Sequence, residues 1–153
     1  MLYKKIGKTF IIRHVGKKNK KLYLNNNDVG LLTNILYKNN ILAILGDVKG
    51  INLGSVYETV VASELIAHGH KLFYYDNRSN GEVDFLIDDY ESLSTVPIEV
   101  KSGKDYSIHS ALTKFMNNPG YHIKKGYVLS NNRAIEIKNN GIIYLPIYYV
   151  MFF

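Results

Sequence analysis

Two short runs of the chain carry residues suited to chemistry on a phosphodiester. In Glu82-Val83-Asp84-Phe85-Leu86-Ile87 and Val96-Pro97-Ile98-Glu99-Val100-Lys101, apolar and ionisable residues alternate, which is the period of a β-strand. Read that way, Val83, Phe85 and Ile87 point to one side and Glu82, Asp84 and Leu86 to the other. Val96, Ile98 and Val100 share a face, and Pro97, Glu99 and Lys101 share the opposite one. If the two strands pair, Asp84 comes near Glu99, with Lys101 one pleat further on. Adjacent carboxylates repel unless a cation stands between them. A hard ion such as Mg²⁺ or Mn²⁺ would draw oxygen ligands from both, with the Val100 carbonyl as a further donor. Such an ion polarises a phosphoryl oxygen and lowers the pKa of bound water, while Lys101 would set a fixed positive charge beside the attacking water. The same residue types also fit a solvated strand face, on which Glu99 and Lys101 would form a surface pair of little weight.

Elements on either side must hold these strands. The spacing predicts a helix from about Ser55 to His68, with Gly69 just past its end. Glu58 shares a helical face with Val61, Ala62 and Leu65, so it points partly inward and needs a partner there, which a metal or Lys101 would supply; Glu64 is a rival for this place. A strand over Lys71–Tyr75, the turn Asp76–Gly81, the two strands above, a helix over Ser107–Met116 capped by Ser107, and a strand over Gly126–Leu129 follow. One or two more strands are expected around Ile135 and from Ile142 to Tyr149. Ahead of this core, Thr9–Val15 and Lys21–Leu24 read as a hairpin about the lysine-rich turn Gly16–Lys20. Asp28 is the N-cap of an apolar helix that ends at Asn39-Asn40. The glycines between Gly46 and Gly54 mark the main boundary, giving residues 1–53 as a hairpin and helix packed on the core and residues 54–153 as the core itself.

Composition narrows the chemistry. The chain has 153 residues, 46% of them hydrophobic, which is enough for one domain with a real core. It has no cysteine, which excludes thiol catalysis, disulfides and cysteine-built zinc sites. A net charge of +6 favours polyanions, although a base-biased genome would also raise lysine. Lys104, Lys114, Lys124 and Lys125 are candidates for a phosphate track, or simply solvated. Tyr74, Tyr75, Tyr106, Tyr121 and Tyr127 are candidates for base stacking, or packing residues with a wet hydroxyl. The histidines show no metal-ligand spacing. The most apolar stretch, Ile142–Phe153, is too short to span a bilayer and contains Pro146, and the amino end lacks the apolar run of a signal peptide. A soluble cytoplasmic protein is the expectation.

The run Gly81-Glu82-Val83-Asp84-Phe85, followed by Pro97-Ile98-Glu99-Val100-Lys101-Ser102-Gly103, resembles the PD-(D/E)xK nuclease motif, with Val83 in place of the proline. Gly54-x-x-x-Glu58, with Leu65 and Gly69 after it, is similar to the opening helix of archaeal Holliday-junction resolvases, which places Glu58 in their first acidic position. A closer likeness is to the carboxyl-terminal domain, of unassigned function, of predicted bacterial and archaeal AAA+ ATPases. It rests on Lys21–Leu24, Asp28-Val29-Gly30-Leu31-Leu32, Tyr57–Val61, Glu64-Leu65 and the two motif strands, and covers nearly the whole chain.

The resemblance implies an α/β restriction-endonuclease-like core (helix, three strands, helix, strand) behind an amino-terminal hairpin and helix. In it, Asp84, Glu99, Val100 and Glu58 would be metal ligands and Lys101 the catalytic cation. It also implies nucleic acid, DNA above all, as the partner, together with an ATPase domain that is missing here. No G-x-x-x-x-G-K-[ST] loop exists in the chain, so no ATP site is expected, and the chain reads as an excised or truncated carboxyl-terminal domain. A non-catalytic module for DNA or protein contacts in an AAA+ ATPase stays open, as does a plain oligomerisation domain, and a homo-oligomer is compatible with each.

Overall fold

The computed structural model describes residues 53–103, 107, 109–138 and 140–153, Gly30, and the backbone of three short strands nearer the amino end. Those strands are β1 (Lys4–Lys5), β2 (Phe10–Ile12) and β3 (Leu22–Leu24). The β2 and β3 strands pair antiparallel, Phe10 opposite Leu24, within the two segments expected to form a hairpin. The turn Gly16–Lys20, and the helix expected after Asp28 apart from Gly30, lie outside the described residues.

From Gly54 the order is α1 (Gly54–Ala67), β4 (Phe73–Asn77), β5 (Gly81–Asp89), β6 (Ser94–Lys101), α2 (Ser110–Met116), β7 (Gly126–Ser130), β8 (Glu136–Ile137), β9 (Ile142–Pro146) and a closing 3₁₀ helix, η1 (Ile147–Phe152). Six of these strands, with β1 added at one edge, form a mixed sheet in the order β1-β4-β5-β6-β7-β9-β8. Most neighbours run antiparallel; β6–β7 and β7–β9 are parallel. The expected helix-strand-strand-strand-helix-strand series is present. Its carboxyl end differs, because after Pro146 the chain coils into η1 where a strand to Tyr149 was expected.

Local chemistry sets the corners. Gly69 at φ +87 closes α1: its N–H donates to Ile66 O at 2.9 Å and that of His70 to Leu65 O at 3.0 Å, the paired bonds of a Schellman stop. The β4–β5 turn is held by Asn77 Oδ1, which accepts from Ser79 N at 2.9 Å and Asn80 N at 3.0 Å. Gly81 follows at φ +88, where a Cβ would sit 3.0 Å from that of Ala111. The β5–β6 turn is held by Asp89, which accepts from Glu91 N, Ser92 N and Ser92 Oγ and meets Lys125 Nζ at 2.9 Å. The Lys125 and Ser92 bonds hold the Asp89 carboxyl far below its usual range. The α2 helix starts later than expected, at Ser110; His109 is its N-cap, with no capping side-chain bond.

Both faces of the sheet are covered. One carries Val61, Ala62 and Leu65 of α1 and Val150 of η1 against Phe85, Ile87, Val96, Ile98 and Val100. The other carries Leu112 and Phe115 of α2 against Tyr75, Val83, Leu86, Val128, Ile142 and Tyr144. The expected ionisable side of β5 and β6 is therefore no solvent face. Leu86 is fully buried and the unbroken run from Val96 to Val100 is buried, the pattern of strands sandwiched between layers. Among the described residues no helix is long and apolar enough to cross a membrane.

Leu65 on α1 is fully buried, whereas Leu93 in the β5–β6 turn is 89% exposed. Leu65→Ala should lower stability by about 2–5 kcal/mol, and Leu93→Ala by less than about 0.5 kcal/mol. Urea unfolding of the two variants checks the contrast.

Candidate functional site

The site forms where β5 parts from β6. The two strands pair from Asp89↔Ser94 to Phe85↔Ile98, and there the ladder stops. Strand β6 runs on beside β7 to Lys101↔Ser130. An unbroken ladder would bring the Val100 N–H to the carbonyl of Val83, but Val83 has turned to pair with Tyr75 on β4. Between Phe73↔Leu86 and Tyr75↔Val83 the register shifts, so Tyr74 alone faces Asp84 and Phe85, a β-bulge. A bulge re-aims side chains, and here it breaks the expected alternation. Val83 and Leu86 both face α2, while Phe85 and Ile87 face α1. Asp84 is turned into the gap, where its Oδ2 accepts the Val100 N–H at 2.8 Å.

Pro97 fits the same scheme. Backbone N–H groups alternate along a strand, and that of Val100 points to β5. The Pro97 nitrogen therefore points to β7, just before pairing with β7 begins at Ile98↔Tyr127, so its missing donor breaks no bond.

The electrostatics are unbalanced. Burial, then the charges of Glu99 and Glu58, push the Asp84 carboxyl well above the usual carboxylate range; the Val100 N–H and Lys101 pull in the other direction. Glu99 is 6% exposed. Its Oε1 takes the Lys101 ammonium at 2.6 Å, and its buried Oε2 has no protein partner. Glu58 is thus close enough to act on Asp84, whereas Glu64 is not among the charges that do. Val100, expected to offer its carbonyl, contributes its N–H. No three His, Cys, Asp or Glu side chains among the described residues form a metal-holding group. The donor set suits a hard cation that takes one or two carboxylates and completes its shell with water and phosphate oxygens; the orphaned Glu99 Oε2 is the feature that fits it.

One of the histidines without metal-ligand spacing stands beside the site, within electrostatic reach of Glu99 and Lys101. His109 is buried at the start of α2; its Nε2 bonds the Tyr144 hydroxyl and its Nδ1 lies 3.2 Å from Thr113 Oγ1. Thr113 Oγ1 donates to the His109 carbonyl, so it accepts from Nδ1–H, and Nε2 is left to accept from Tyr144. Burial lowers the imidazole pKa, against a raising influence from Glu99. The pairs Glu99↔Val128 and Val128↔Tyr144 put Glu99 and Tyr144 in one row across the sheet. Only that register, absent from local spacing, links His109 to the motif.

Other candidates fall away from the gap. Lys124 donates to Ser92 O and Lys125 pairs with Asp89, both at the opposite end of β5 and β6. Lys114 is exposed on α2, and Lys104 lies outside the described residues, as does Tyr106. Tyr75 and Tyr121 pack against Phe115 with ring centroids at 4.8 Å in each case, and Tyr127 against Phe153 at 4.7 Å.

Residues 53–150 match the model of a family described as a domain of unknown function (DUF4143). No curated protein and no solved structure matches the chain.

The raised Asp84 pKa fixes the sign of a pH effect. The folded state holds this proton more tightly than the unfolded one, so stability falls as pH rises from the unfolded value, about 4, up through the folded one. Asp84→Asn keeps an acceptor for the Val100 N–H and removes the charge. It should melt above the parent at neutral pH by a few degrees, for a gain of roughly 0.5–2 kcal/mol, with the difference shrinking towards about pH 4. Thermal melts across that range check it; a variant that melts below the parent at neutral pH would contradict the unfavourable charge.

Proposed function

From the premise that the chain belongs to the DUF4143 family, which its match over more than half the sequence establishes, we propose a metal-dependent phosphodiesterase domain acting on nucleic acid, with a restriction-endonuclease-like core. The observation that carries this reading is the buried, unpartnered Glu99 Oε2 in a gap where Glu58 and Glu99 both raise Asp84. A buried carboxylate oxygen without a protein partner is uncommon in natural cores and points to a ligand.

In this reading Asp84 and Glu99 hold Mg²⁺ or Mn²⁺, and Glu58 adds charge or orients a water. The bound ion supplies Lewis acidity and a water of lowered pKa. The Val100 N–H fixes the rotamer of Asp84. Lys101 stands at the mouth of the gap, 29% exposed, where an ammonium can meet a phosphate oxygen and the charge that develops on it. The +6 net charge draws a polyanion to the surface at low salt. The domain would serve an AAA+-type partner that supplies the ATP-driven step, and no ATP site is assigned to this chain.

A non-cleaving interaction module is the second reading. It is favoured by the lack of a three-ligand group among the described residues, since a nuclease core can serve as a scaffold.

Incubation of plasmid DNA, duplex and junction oligonucleotides, and RNA with Mn²⁺ separates the two. Cleavage should occur, stop with EDTA, be lost in Glu99→Ala and Asp84→Ala, and fall by about 10²–10³-fold in Lys101→Ala. A Glu99→Ala protein that cuts at the parent's rate would remove the catalytic assignment. Salt-dependent binding without cleavage would favour the module.

A further inference from the structure

Lys101 and Glu99 are two residues apart on one strand, so they share a face. The lysine must fold back over one pleat to bring Nζ to 2.6 Å from Glu99 Oε1. Its side chain is 29% exposed while that of Glu99 is 8% exposed, so the ammonium reaches in from the rim to a buried anion. A carboxylate buried without a counter-charge is costly, and Lys101 is the cation seated on it. The compensation is incomplete. Glu99, Glu58 and Lys101 all act on Asp84, and the ammonium touches only one oxygen of Glu99, leaving Oε2 without a protein partner.

We propose that Lys101 is the built-in counter-ion of Glu99 and that a divalent cation enters by exchanging with it. An ammonium on Glu99 Oε1 and a divalent ion taken up through the neighbouring Oε2 would repel each other at short range, and the divalent ion brings twice the charge together with the capacity to take several oxygens, Oε1 included. A lysine ammonium is a compact charge on a flexible stem, held by no fixed fork geometry, so it can swing from Glu99 to the solvent side of the gap without disturbing β6. The exchange gives Lys101 two positions and one task in each. Against Glu99 it neutralises the metal-free site; swung outward it is free to meet a phosphate. The inference rests on the metal-binding part of the proposed function and adds that the lysine lowers the affinity for metal.

Isothermal titration of the whole protein with Mn²⁺ alone, without nucleic acid, tests this. Lys101→Met should bind Mn²⁺ between about five- and a hundredfold more tightly than the parent, and Lys101→Gln should do the same if the methionine variant folds poorly. Lys101→Arg keeps a cation and should stay close to the parent. Lys114→Met removes the same net charge from exposed α2 and should leave affinity unchanged. Mn²⁺ should also raise the melting temperature of Lys101→Met by more than that of the parent, a readout independent of turnover. Parent binding that depends on Glu99, with equal or weaker binding in both neutral lysine variants, would overturn the exchange and leave the metal site standing. Equal tightening in Lys114→Met would overturn it as well, by showing a net-charge effect. Absence of Mn²⁺ binding in the parent and in every variant would overturn the exchange and the metal reading together.

Discussion

A carboxylate standing in for a carbonyl holds this molecule's centre in place. Where β5 leaves β6, the Val100 N–H would be a buried donor without an acceptor, and such a group costs about 1–3 kcal/mol. Asp84 takes it at 2.8 Å. The bulge at Asp84 and Phe85 and the turn of Val83 towards β4 go together with that substitution. Glu99 and Lys101 lie on the part of β6 that β5 no longer accompanies, where the strand continues beside β7. The same bond that completes the backbone draws an acid into the company of Glu58 and Glu99, so the structural solution creates the electrostatic problem.

That problem sets stability against use. Burial and like charge make the ionised Asp84 unfavourable, and Glu99 has only half of its carboxylate satisfied. A core selected for stability alone would carry an amide or an apolar residue at such positions. Around the gap the packing is conventional: Val61, Leu65, Ile98, Leu112 and Val128 are fully buried on one face or the other, and they make the rigid frame against which unfavourable charges can be held.

Much of this arrangement was legible in the residues. Period-two patterning located β5 and β6, Gly69 marked the end of α1, and Asn77, Asn80 and Gly81 marked the β4–β5 turn, because each is a local effect of backbone geometry. The proximity of Asp84 to Glu99 followed from assuming that the strands pair, and the structure does bring the two within electrostatic reach. The two faces were less legible: unbroken alternation puts Asp84 on a plain ionisable side, but a bulge has no signature in a single strand's sequence, and burial from both sides depends on where α1 and α2 dock. His109 escaped notice for the same reason. Its partner Tyr144 lies on β9, and only the order β6-β7-β9 brings them together. The start of α2 was missed because Ser107 is a good N-cap by type, yet the helix begins at Ser110 without a capping side chain.

The pairing of β1 with β4, Lys4 opposite Tyr74 and Lys5 opposite Phe73, has a practical side. The family match begins at residue 53, and a fragment cut to that limit would lack the strand that closes this border of the sheet. The main-chain groups that β4 turns to β1 would then be open to any extended peptide, including the same border of another molecule. Such borders recruit strands and promote self-association. The short β1 strand is in this respect a guard, covering the border at which the sheet would otherwise keep growing.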